Sequence, residues 1–148
     1  MLLQTMQFVA TVAAGLFAGA ALYINVAEHP ARMGLETRLA ALQWAPSYKR
    51  ATLLQAPLAL VSLVAGIAAS LLGGGVGWLV GGLVIGAVVP FTLIVIMRTN
   101  NLLLAPGRDL NSGETRQLLE KWGRLHAVRT VASLIALVVY VWLLLPRA

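Results

Sequence analysis

Cysteine is absent from all 148 residues, which excludes disulfides, thiolate metal sites and cysteine nucleophiles. Carboxylates are almost as scarce, with five Asp and Glu in the whole chain, so little is available for metal ligation or acid–base work. Charge of either sign makes up only 11% of the residues while 59% are hydrophobic, which excludes an ordinary soluble domain and points to a polytopic membrane protein. The net charge of +6 would suggest a nucleic-acid partner if it were spread over a soluble surface. The basic residues instead flank apolar runs, so they read as determinants of membrane orientation, and no nucleic-acid partner is expected.

Four runs are long enough to cross a bilayer, at about residues 6–27, 51–72, 76–97 and 126–146. The predicted fold is all-α: a single four-span membrane bundle over residues 1–148, with membrane lipid as its surroundings. No Lys or Arg precedes the first run, so it lacks the positive start of a signal peptide and is read as a retained span. Pro30 should end that helix near His29, because a proline disfavours helix at the residue before it. Between spans one and two, Leu35, Leu39 and Leu42 alternate with Arg32, Glu36 and Arg38 at near-helical spacing. This predicts a short amphipathic helix lying at the interface, with Pro46-Ser47 opening the next helix. Gly73 to Gly77 is expected to be a tight turn, and Pro90 should kink the third span. Asn111 with Glu114 suggests an N-cap, and the fourth helix should run from there to the end of the chain, extending well out of the membrane. Trp44, Tyr48, Trp78 and Trp142 suit interfacial anchors. Gly15/Gly19, Gly77/Gly81 and Gly82/Gly86 are small-xxx-small pairs, through which a homo-oligomer could also form.

The last apolar run, 131–146, covers only roughly 24 Å at helical rise, short of the ~30 Å hydrocarbon core. A spanning helix must borrow upstream residues, which draws Arg129 and His126 to the membrane edge. Trp122, His126 and Arg129 are spaced i, i+4, i+7 and share one face, which must look into a bundle or a wet cavity rather than at lipid. Ten of the eleven basic residues, all but Arg147, fall on one side of a four-span topology. The positive-inside rule then places segments 28–50 and 98–125 in the cytoplasm and both termini outside, with a bacterial inner membrane as the expected location. Both histidines and all five acidic residues share that side.

Asn25, Glu28 and His29 stand at i, i+3, i+4 at that end of span one, while Arg98, Asn100 and Asn101 end span three. With Tyr23, Trp122, His126 and Arg129 they could frame a pocket between facing helices. The alternative is structural: a Glu28–Arg129 or Glu28–Arg98 pair that locks the bundle. His29, His126 and Glu28 are the ligand types a metal would need, but no spacing motif joins them and nearby arginines oppose a cation. Neither metal nor haem is expected. Histidine near a carboxylate or arginine suits general acid–base chemistry better.

Three motifs carry a resemblance: Tyr23-x-Asn25-x-x-Glu28-His29-Pro30, Asn100-Asn101-x-Leu103, and Trp122-x-x-x-His126-x-x-Arg129-Thr130. In these and in its span order the chain resembles the DUF1772 family of small four-span membrane proteins, which includes fungal anthrone oxygenases. The resemblance implies oxidation of a flat hydrophobic substrate to a quinone by molecular oxygen without an evident cofactor. On that basis His126 is the candidate base, with Glu28 or His29 as orienter or substitute. Arg129, Asn25 and Asn100 would stabilise the anion, and Arg98, Asn101, Trp122 and Tyr23 would help bind the substrate. The reading from a different class is a non-catalytic bundle that binds lipid or a small hydrophobic molecule, or an accessory subunit.

Overall fold

The structure is a computed structural model and describes residues 1–146; Arg147, which the charge count sets apart from the other basic residues, lies outside the described residues. It is all-helical, with no strand among the described residues. Four helices are long and apolar enough to cross a membrane: α1 (Leu2–Met33), α2 (Thr37–Gly74), α3 (Val76–Leu103) and α4 (Gly113–Leu144). Each packs on its two neighbours in the order α1, α2, α3, α4 and back to α1, which closes a four-helix bundle. α2 has 38 residues and therefore runs about 57 Å, well beyond the ~30 Å apolar layer. The alternating direction of the helices gathers residues 28–50 and 98–126 at one end, the polar end.

Four local expectations differ in detail. First, α1 does not stop near His29. Its α-turns widen to a π-turn over Ile24–Glu28, in which the His29 N–H reaches the Ile24 carbonyl, and the helix then continues through Pro30 to Met33. The wide turn supplies the slack a proline needs inside a helix, where it has no N–H to give and its ring crowds the preceding turn. Second, residues 37–50 are helical as expected, with Leu35, Leu39 and Leu42 exposed, but they are continuous with span two, so Pro46 lies inside α2 instead of opening it. Third, α4 is capped one residue later than predicted. The Ser112 hydroxyl accepts from the Thr115 N–H at 3.2 Å, while the Asn111 N–H turns back to the Asp109 carboxylate. Fourth, Trp44 and Trp78 are not interfacial anchors. Each is 1% exposed, Trp44 among aromatic side chains at the polar end and Trp78 stacked on Tyr140 near the other; Trp142 alone of the three stays outside.

The turn between α2 and α3 is glycine by necessity, since Gly73 and Gly75 adopt φ of 91° and 92°. In α3 the helix is interrupted at Ala87 and followed by another wide turn over Thr92–Ile96, the distortion expected around Pro90. The glycines of α3 pack within the bundle: Gly77 and Gly81 face Leu143 and Tyr140 of α4, and Gly86 faces Leu63 of α2. Gly19 has open space beside it.

Candidate functional site

Two of the polar groupings at the polar end involve the predicted site residues. The first joins α1 to α4. Asn25 donates through Nδ2 to the Gly123 carbonyl at 3.1 Å, which fixes the orientation of its amide. Its Oδ1 must then accept, and it lies 2.7 Å from His126 Nδ1 and 2.5 Å from the Thr130 hydroxyl. His126 therefore carries its hydrogen on Nδ1 and its lone pair on Nε2. The His126 ring stacks on Trp122 with centroids 4.9 Å apart, and Trp122 meets Trp44 edge-on at 5.9 Å. Thr130 also sits 3.2 Å from the Ala21 carbonyl, one turn earlier on α1.

The second grouping centres on Arg32, a residue that sequence reasoning placed on an exposed amphipathic face and that is 3% exposed. Its guanidinium meets Glu28 Oε1 at 2.5 Å, Ser47 Oγ at 3.2 Å and His29 Nδ1 at 3.2 Å, and it donates to the Gln43 side chain. The Ser47 hydroxyl donates to the same Glu28 oxygen. Glu28 thus pairs with Arg32 and with neither Arg129 nor Arg98. The partner was legible as an i, i+4 pair, but only for a helix that carries on past Pro30.

His29 turns its Nε2 edge to α4 at Gly123. A Cβ there would lie 2.5 Å from Nε2 and 2.6 Å from Cδ2, so only glycine lets the two helices approach this closely. Gly123→Ala is expected to lower stability by about 1–3 kcal/mol, the usual range for overpacking. Thermal unfolding of Gly123→Ala, His29→Ala and the double mutant checks it: the contact predicts that much of the loss from Gly123→Ala vanishes in the His29→Ala background.

Arg129 is 8% exposed and makes no hydrogen bond to either grouping. Its Nη2 donates to Gln55 Oε1 at 2.8 Å, and its Cζ lies 5.4 Å from the centre of the Phe17 ring. Among the described residues no carboxylate is within ion-pair distance of it. It borders two small apolar cavities of about 90 and 170 Å³, the first shared with Tyr48, Val88 and Thr92 and the second with Phe91 and Val128. Gln55 had the least in its surroundings along the chain to single it out, one amide in an apolar run, yet it is 1% exposed and bonded to the buried cation.

A cavity of about 530 Å³, several times the size of the two that touch Arg129, is a groove between α1 and α2 that opens on the outside of the bundle. Tyr23, Glu28, Ser47 and Arg50 line it towards the polar end, and Ala51, Leu54 and Gln55 line it further along α2. Glu28 and Tyr23, both predicted site residues, are therefore on this groove. Asn25 and His126 are not among the residues lining these three cavities and touch each other directly. Asn100 is fully buried beside Thr99, with neither amide atom partnered, whereas Arg98 and Asn101 face outward on the same helix and join none of these groups. Among the described residues no three His, Asp or Glu side chains are grouped to hold a metal ion, so His29, His126 and Glu28 do not form a ligand set.

Comparison with known proteins gives one family. The model of the anthrone oxygenase family matches residues 44–139, a stretch that includes Gln55, Asn100, Trp122, His126 and Arg129. A curated relative, the anthrone oxygenase tpcL of Aspergillus fumigatus, is 45% identical over 51 residues, which cover 32% of this chain and 32% of the relative. The chain thus spans about a third of the length of the curated relative it matches. No solved structure matches.

Proposed function

The chain belongs to the anthrone oxygenase family, and on that premise we propose that it is a membrane-embedded oxygenase converting a flat, hydroxylated aromatic ketone to its quinone. The observation that carries this reading is Arg129, a buried cation in a membrane-spanning helix with an amide oxygen, not a carboxylate, as its partner. Holding a charge out of water costs several kcal/mol unless it is neutralised, and this chain does neutralise Arg32 with Glu28. A cation left uncompensated beside apolar cavities is suited to an anion that forms only during reaction.

In the reaction a base takes a methylene proton, and the electron pair delocalises onto the ketone oxygen. The resulting enolate gives one electron to molecular oxygen, the two radicals join at carbon, and the peroxide anion so formed takes back the proton held by the base to give a hydroperoxide. Loss of water breaks the remaining C–H bond and the O–O bond and leaves a second ketone. One oxygen molecule enters and one water leaves, so no external reductant is needed. Glu28, the carboxylate on the groove, is the base in this reading, and its Oε1 is already held by Arg32 and Ser47. His126, which packs against Asn25 and Thr130, positions α1 against α4. Tyr23 gives the groove an aromatic wall, and the polar end faces the cytoplasm of a bacterial cell with both termini outside.

Purified protein mixed with an anthrone should consume oxygen and form quinone in equal amounts, faster than protein-free detergent micelles at the same concentration. A rate no greater than that of the micelles overturns the proposal.

A further inference from the structure

We propose that the groove between α1 and α2 is the ligand site, open sideways to the bilayer, and that Gln55 passes the influence of Arg129 into it as a relay. The inference rests on the proposed function for the identity of the ligand.

Volume and lining together narrow where a ligand can sit, since a further cavity of about 350 Å³ between Met6 and Val64 is lined by apolar residues alone. Pockets for small organic ligands measure about 300–1,000 Å³. The two cavities touching Arg129, at about 90 and 170 Å³, are each too small, whereas the groove at about 530 Å³ is large enough. Arg129 is not among the residues lining that groove, but Gln55 is, and Gln55 is also the hydrogen-bond partner of Arg129. The amide has two ends. Its Oε1 accepts from the guanidinium, and its Nε2 has no hydrogen-bond partner although the residue is 1% exposed. A buried amide N–H left unpaired costs about 1–3 kcal/mol, so a partner for it is worth having. A charged donor on Oε1 draws electron density from the amide and makes Nε2–H a stronger donor.

The occupant that fits has an oxygen able to take negative charge at Gln55, flat apolar rings over Ala51 and Leu54, and a proton to give or share at Glu28. Its ketone oxygen would become the enolate oxygen, held by a neutral donor whose strength is set by the cation behind it. An aromatic ketone dissolved in lipid could enter without crossing water, because the groove opens between two helices on the outside of the bundle.

The test uses the full chain in lipid nanodiscs, with a hydroxyanthraquinone as probe followed by its absorbance. Gln55→Glu and Gln55→Leu should each bind the probe about three- to tenfold more weakly, as expected on losing one hydrogen bond to a neutral carbonyl. Gln55→Glu should melt no lower than the parent, since its carboxylate pairs directly with Arg129, and it should lose kcat more than KM. Ala51→Trp, which fills the groove, should block binding. Parent-like binding and turnover in Gln55→Glu would overturn the relay even if the protein proves to be an oxygenase. Parent-like binding in Ala51→Trp would overturn the groove. Gln55-dependent binding without oxygen uptake would leave the site standing and remove the proposed function instead.

Discussion

Arg129→Met lowers quinone formation by about tenfold or more, short of the 10²–10³-fold seen when a donor bonded directly to a developing oxyanion is removed, because Gln55 stands between the cation and the ligand, and it leaves the melting temperature unchanged or higher. The two halves of this result have different causes. Methionine occupies similar space but carries no charge, so the variant escapes the desolvation cost of the guanidinium, which runs to several kcal/mol. Against that stands the loss of one hydrogen bond to Gln55, a matter of about 1–3 kcal/mol. The balance favours the variant or leaves it even. Turnover, by contrast, loses the cation that is hydrogen-bonded to Gln55. Parallel measurement of oxygen uptake and thermal unfolding checks both halves. A melting temperature that falls together with activity would mean that Arg129 holds the bundle together and does nothing else.

Glu28→Gln is expected to cost about 10²–10⁴-fold in kcat, the range for a lost general base. This substitution also strands Arg32, a guanidinium buried among Glu28, His29, Gln43 and Ser47. Removing one member of such a pair costs roughly 3–5 kcal/mol, so a loss of activity in the single variant could follow from unfolding. The double variant Glu28→Gln with Arg32→Met separates the causes. Taking away the stranded charge should recover much of the melting temperature while kcat stays low. Recovery of both together would show that the carboxylate serves Arg32 and not the substrate.

The number and order of the spans were legible because four apolar runs separated by charge or glycine admit few other arrangements. So was the shared face of Trp122, His126 and Arg129, since α4 is a regular helix through these positions and i, i+4, i+7 arithmetic holds along it. The meeting of Asn25 with His126 also follows from topology, which brings the ends of α1 and α4 together. What could not be read is which side chains pair and which face a cavity. Arg32 looked like a member of an exposed amphipathic face because Pro30 appeared to close the helix before it. Trp44 looked like a headgroup anchor because residues 37–50 seemed separate from the span they in fact begin. Gln55 looked like an isolated polar residue, since its partner lies 74 positions away and depends on how α2 is rotated against α4. Asn100, Asn101 and Arg98 are near neighbours in sequence, yet one faces inward and two outward, a division set by the rotation of α3 after the distorted turn at Thr92–Ile96.

The wide turn at Ile24–Glu28 has one more consequence. A π-turn accommodates a residue more than the regular helix would, so a helical wheel drawn from the start of the chain runs out of phase beyond it by about 100°. Deleting one residue from that turn would restore a regular winding and swing Glu28, His29 and Arg32 together around the axis, detaching them from Ser47 and Gly123 without altering a single one of them. The spacing between Asn25 and Pro30 is thus as much a part of the site as the side chains it carries.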